Sequence, residues 1–420
     1  TGEIIESDII WYHNHLRSYR NRYLLETGAA NPSARTLDTK PEEIGEMMRM
    51  VIAHEVGHAL GLPHNMAASF AYPVDSLRSG KFTQKYGIAA TIMDYARYNY
   101  IAQPGDKNIR FIRQLGPYDH YAINWGYRRI PKAKQPKDEV KTLDKWISEK
   151  ANDPKYRFGG KRFDPSSQTE GIGNDQVMAS TYGIKNLKIV AKNLPEWTSD
   201  QTNNYEDLSE LYGELLSVWN RYVGHVAGNI GGVYEFNKKP EQKGNVYETV
   251  AKNRQIASLN WLLKNTFDTQ RWLLDKNILN KIDETGYSDR ILKYQNRHLY
   301  SLLNVKTLKR MIDAEVIETE FYAVSDMIKT LRKGVFSEAK KTQNVDLFRR
   351  NLQKSFIDRM GVLMNDSDTK NTDITSIVRG ELVTLKYIIS IANKRAISTM
   401  TKYHYRDCIH RIETLLNPIK

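Results

Sequence analysis

Cysteine is almost absent: Cys408 is the only one in 420 residues, which excludes an intramolecular disulfide and leaves the fold to its core. No run of about 18 apolar residues occurs, so no membrane-spanning helix is expected. No signal peptide pattern is present, because Thr1-Gly2-Glu3 leads straight into a segment patterned like a strand. Acids are fewer than bases, 49 against 62, for a net charge of +13. Residues 1–130 carry 15 basic and 13 acidic side chains, and the remainder carries 47 and 36. The surplus is therefore spread through the later part of the chain, without a continuous basic stripe. No nucleic-acid motif accompanies it, so it reads as a solvated surface and no nucleic-acid partner is expected. With 40% hydrophobic and 26% charged residues the composition is that of a globular protein with room for two or three domains.

What is present is concentrated in His54-Glu55-Val56-Gly57-His58-Ala59-Leu60-Gly61-Leu62-Pro63-His64. On a helix, residues four apart share a face, so His54 and His58 can grip one ion. Glu55 lies beside that face, where it can reach a water at the metal without being a ligand. Gly61 has no Cβ and can take the left-handed conformation that ends a helix, and Pro63 prevents the helix from continuing. The turn predicts the return of His64 as third ligand. Three neutral imidazoles with one open position describe a catalytic zinc centre, whereas a structural site closes with a fourth protein ligand.

This pattern resembles the metzincin zinc metallopeptidases, whose signature is HExxHxxGxxH followed by a turn that carries methionine. Thr91-Ile92-Met93-Asp94-Tyr95 fits that turn. The resemblance implies that Met93 forms an apolar floor under the imidazoles. Tyr95 matches a position where some metzincins place a tyrosine at or near the zinc; a packed aromatic is the alternative reading. Three further segments, 61–65, 92–100 and 116–127, look closer still to large secreted bacterial zinc-dependent metalloproteases with uncharacterised flanking domains. Asn65, at the position that distinguishes metzincin subfamilies, departs from the acid, proline or serine found elsewhere, so subfamily specificity does not transfer. The likeness covers residues 1–130 and implies secretion or a periplasmic or cell-surface location.

The fold expected is an α+β metzincin-like catalytic domain over 1–130, with a partial mixed sheet and the zinc helix. A linker and irregular segment over 131–203 follows, then a mostly α-helical bundle domain over 204–420. Glu3 to Trp11 reads as an edge strand, with further strands expected upstream of the sequence in hand. Pro41 with Glu42 and Glu43 predicts the start of the zinc helix, whose buried face carries Met47, Met50, Val51, His54, His58 and Leu62. Asp164, Glu170, Asn174 and Asp175 match no cation-binding loop and read as solvated loop residues. His13 and His15 read as surface residues, and His225, His298, His404 and His410 as surface or core residues. From Tyr205 onward, apolar residues recur at helical spacing, as in Leu352, Phe356, Met360 and Leu363.

The activity implied is a zinc-dependent endopeptidase that cleaves peptide bonds with zinc-activated water. Glu55 would serve as general base and then acid, and Tyr95 would assist the oxyanion. Protein or peptide substrate is the expected partner, with Tyr98 and Tyr100 as candidate walls of its pocket. Hydrolysis of another amide, such as a peptidoglycan cross-link, and an inactive zinc-containing binding module remain the alternatives.

Overall fold

The computed structural model describes residues 3–160, 163–199, 204–341 and 343–417; Thr1, Gly2 and the expected boundary at 203 lie outside them. Helices dominate, and the sheet among the described residues has only two strands, β1 (Val233–Glu235) and β2 (Tyr247–Thr249). The chain divides into two compact units. Unit 1 comprises Thr1–His225 with Tyr234–Glu248, and unit 2 comprises Val226–Val233 with Thr249–Lys420.

In unit 1, Pro41 stands in the first turn of α2 (Pro41–Ala59), where it forfeits no hydrogen bond, and Glu42 and Glu43 face the positive end of the helix. Helix α1 (His15–Thr27) packs on α2 and on α6 (Gln176–Trp197). Met47, Met50 and Val51 of α2 join Tyr23, Ile92, Met93, Tyr98 and Ile112 in one buried cluster. Between α2 and the methionine turn lies α3 (Gly80–Tyr86), and beyond the turn lies α4 (Pro117–Tyr127).

Three expectations are corrected here. Residues 3–11 form no strand, and Ile5 and Ile10 are 94% and 74% exposed. An apolar–acidic pattern makes a strand only against a partner that satisfies its backbone, and among the described residues of 1–130 the pairing present is an isolated antiparallel bridge, Tyr98 to Ile112. Among its described residues the segment 131–203 is irregular over much of 151–175, as expected, but it is not a linker throughout. It contains α5 (Pro136–Lys150) and α6, and the buried face of α6 carries Ala179, Leu187, Val190 and Leu194. Of the four residues read as solvated, Asp164 and Glu170 are buried, whereas Asn174 is exposed and Asp175 half-buried. Asp164 and Glu170 are 2% and 6% exposed and pair with arginines; Asp175 caps α6 by accepting from Met178 N at 2.9 Å; Asn174 accepts from Val74 N at 3.3 Å.

Helix α7 (Glu206–Ala227) leads into unit 2, which holds α8 (Lys252–Leu262), α9 (Lys276–Ile282), α10 (Tyr287–Leu302), α11 (Val305–Ile317), α12 (Val324–Val335), α13 (Ser337–Lys341), α14 (Leu347–Asn365), α15 (Asp373–Arg395) and α16 (Thr399–Leu416). Helix α14 packs against α10, α15 and α16, burying Leu352, Phe356, Met360 and Leu363 at spacings of four, four and three. No helix is long and apolar enough to cross a membrane among the described residues. His225, His298 and His404 are buried, and His410 is exposed.

Candidate metal centre

The end of α2 sets the site. Leu60 caps the helix and Gly61 takes φ +85°, a conformation open to a residue without Cβ. Gly61 N donates to His58 O at 2.8 Å and Leu62 N to Gly57 O at 2.9 Å, the paired bonds of a Schellman turn. This turn brings His64 Nε2 to 3.2 Å from His54 Nε2 and 3.0 Å from His58 Nε2. The three histidines form the one group suited to a metal among the described residues.

Their tautomers follow from the outer hydrogen bonds. His54 Nδ1 lies 2.8 Å from Ile92 O and His58 Nδ1 2.7 Å from Leu62 O, so each Nδ1 carries the proton and each Nε2 presents a lone pair. Lone pairs converging at this separation repel unless a cation stands among them. Ligand bonds of about 2.0–2.1 Å to a tetrahedral zinc place nitrogens roughly 3.3 Å apart, close to the spacing seen. Burial, the largest influence, lowers the His54 pKa to about 4 and also lowers that of His64, keeping both imidazoles neutral as ligands. The donor set fits zinc, with His54, His58 and His64 as its holders.

Met93 of the turn is fully buried. Its sulfur reaches the helix because Gly57 has no side chain: an added Cβ there would overlap Met93 Sδ. Tyr95 stacks on the site, with its ring centroid 5.5 Å from that of His54 and 4.4 Å from that of His64. Burial and then the charge of Glu55 raise the Tyr95 pKa, and Glu55 also acts electrostatically on His64. Glu55, next to His54 on α2, and Tyr95 are both half-buried.

Tyr98 and Tyr100 are not pocket walls. They are 0% and 1% exposed. Tyr98 packs its ring 5.1 Å from that of Tyr23 and donates its hydroxyl to Tyr19 O at 3.1 Å; Tyr100 lies against Tyr222, at 4.3 Å between centroids, and its hydroxyl accepts from Ile172 N at 3.3 Å. Both belong to the core that supports the turn.

Residues that reading the motif alone leaves out hold the turn in place. Asp119, buried in the first turn of α4, accepts from Ile92 N at 2.9 Å, from Gly116 N at 2.7 Å and from the Thr91 hydroxyl. Asp94, fully buried, accepts from Ser69 N at 2.8 Å and Ala96 N at 3.0 Å. The buried Arg113 donates to Ile92 O at 2.9 Å, sharing the carbonyl that orients His54. The sequence signal for Asp119 is its position three residues after Gly116, at the N3 position of a helix opened by Pro117. Gly57 and Arg113 carry no local signal.

A family model described as Met-zincin matches residues 36–343. No curated protein and no solved structure matches the chain. Zinc is accordingly the cofactor of the histidine triad. The match spans most of the chain and includes the three ligands, Glu55 and the methionine turn: this protein belongs to the Met-zincin family of metallopeptidase-like proteins.

Proposed function

We propose that the protein is a zinc-dependent endopeptidase in which Glu55 is the general base and acid. The observation that carries this reading is the convergence of His54 Nε2 and His58 Nε2 on His64 Nε2, at 3.2 and 3.0 Å, with Glu55 next to His54 in the chain. Zinc, when bound, supplies a Lewis acid that acidifies water and polarises a carbonyl. Glu55 then takes a proton from the attacking water and delivers it to the leaving amine. The Tyr95 hydroxyl stays protonated, because burial and the Glu55 charge both raise its pKa, and donates a hydrogen bond to the developing oxyanion. His54 and His58 keep their orientation through Ile92 O and Leu62 O. The substrate proposed is an extended peptide or protein, and the place of action proposed, on the likeness to secreted bacterial enzymes, is outside the cytoplasm.

The test is hydrolysis of a quenched fluorescent peptide library with and without a zinc chelator, for the parent and Glu55→Gln. Expected is chelator-sensitive cleavage that falls about 10²–10⁴-fold in the variant while zinc content and fold are kept. A Gln variant as active as the parent would sink the mechanism. A zinc-loaded parent that cleaves no peptide but hydrolyses another amide would move the substrate class.

A further inference from the structure

Two of the three zinc ligands have an acceptor behind them and the third does not. His54 and His58 direct Nδ1 to carbonyls, whereas His64 Nδ1 has no hydrogen-bond partner in the protein among the described residues. A ligand without that support must be held through its main chain. On one side of His64 the chain is stiffened by Pro63. On the other side stands Asn65, fully buried and bonded in three directions. Its N–H donates to Met93 O at 3.1 Å. Its side-chain Nδ2 donates to Arg157 O at 2.9 Å, and its Oδ1 accepts from Gly159 N at 3.0 Å.

The far end of this clamp is itself fixed. Arg157 pairs with Asp164 at 2.6 Å and donates to Glu235 O at 2.7 Å, and its guanidinium lies 4.5 Å from the centroid of the Phe236 ring. Asp164 is 2% exposed, so the pair is shielded from solvent. Phe158 O accepts from Asn237 at 3.3 Å. Gly159 is pressed against the turn that follows the third ligand: an added Cβ would overlap Ser167 Oγ and stand 3.0 Å from Ala67 Cβ. All these residues belong to unit 1.

We propose that Asn65 is a positioning residue for zinc, fastening His64 to the methionine turn and to residues 157–159 in place of the acceptor that its Nδ1 lacks. The inference rests on the zinc site and does not depend on which bond the enzyme cleaves. It also gives the subfamily position a physical task, anchoring a segment ninety-odd residues away. Because the coupling is a free energy between two places, it is reciprocal: zinc must slow the opening of residues 157–160 if those residues steady the ligand.

The experiment uses the full chain. Metal-stripped parent, Asn65→Ala and Asn65→Ser are titrated with zinc against a chromogenic chelator, and amide exchange of residues 157–160 is followed with and without zinc. Expected is a zinc affinity about 10–100-fold weaker in Asn65→Ala, at unchanged stoichiometry and with an unchanged far-ultraviolet spectrum before loading. Also expected is slower exchange of 157–160 on zinc loading of the parent, with that response lost in the variants. Parent-like zinc affinity in a folded Asn65→Ala overturns the proposal, as does parent exchange at 157–160 that ignores zinc. The second measurement needs no variant and decides the matter if the substitutions do not fold. A parent that binds no zinc overturns the metal centre and this proposal together; intact coupling without peptide cleavage overturns only the peptidase reading.

Discussion

Gly57 shows how a small residue sets the metal site. Alanine is the better helix former by about 0.8–1.0 kcal/mol, and in an exposed helix Gly57→Ala would stabilise. Here the new methyl group meets Met93 Sδ, and overpacking of a buried contact costs about 1–3 kcal/mol. The expected result is a net loss of up to about 2 kcal/mol in urea denaturation of the metal-free protein, in place of the gain an exposed site would show. Met93→Ala should remove the obstruction, so the cost of Gly57→Ala should vanish or reverse in that background. Additive costs would mean that the glycine serves something other than the methionine. The three ligands, Glu55 and Gly61 are readable in sequence because local helix and turn geometry dictates their spacing. Gly57 is not, because the atom that excludes its side chain comes from a different element. Tyr98 and Tyr100 fail as pocket walls for the same reason: nearness to Tyr95 in sequence does not say which side of the turn is core, and Tyr23 and Tyr222 take both rings.

At the scale of elements, the methionine turn is fastened to α4 by one carboxylate. Asp119→Ala would leave Ile92 N, Gly116 N and the Thr91 hydroxyl without their acceptor. Each orphaned buried donor costs about 1–3 kcal/mol, and partial relaxation makes a total of roughly 3–5 kcal/mol the expected loss in chemical denaturation. Zinc affinity should fall too, since Ile92 O orients His54. An Asp119→Ala protein of parent stability would show that water replaces the carboxylate. Helix α2 was legible because its start, buried face and stop all carry sequence signals. The edge strand was not, since Ile-rich alternation promises a strand only where a neighbour pairs with it. Residues 131–138 misled through their prolines: Pro136 occupies the first turn of α5, where proline begins helices as readily as it interrupts them. Glu170 misled because its arginine partners lie far along the chain, from Arg22 to Arg221, whereas Asp164 pairs with Arg157, seven residues before it.

At the scale of the molecule, long-range charge and metal binding set stability. Glu170 receives Arg22 at 2.6 Å, Arg97 at 2.8 Å and Arg221 at 2.7 Å, joining α1, the stretch after the methionine turn and α7. Burial pushes its pKa up, but Arg22, Arg97 and Arg221 together outweigh burial and hold it below the ordinary 4.5. A folded pKa below the unfolded one means stability that is present above about pH 4.5 and lost as the pH falls through the folded value. Glu170→Gln should cost about 3–5 kcal/mol at pH 7 by removing the carboxylate that Arg97 and Arg221 pair with and leaving Arg22 only Glu26 at 3.7 Å, and its denaturation should lack that acid-side slope. Zinc acts on unit 1 alone, because all three ligands lie within Thr1–His225. A metal present at 1,000 times its dissociation constant stabilises the folded state by about 4.1 kcal/mol. In a unit of 150–250 residues each kcal/mol moves Tm by about 2–4 °C, so chelation should lower the unit 1 transition by roughly 8–16 °C. Unit 2 contributes no ligand and should keep its transition. Calorimetry of the whole chain should then resolve a chelator-sensitive and a chelator-insensitive transition. If both shift together, the units unfold as one cooperative system and zinc stabilises α8–α16 as well as its own site.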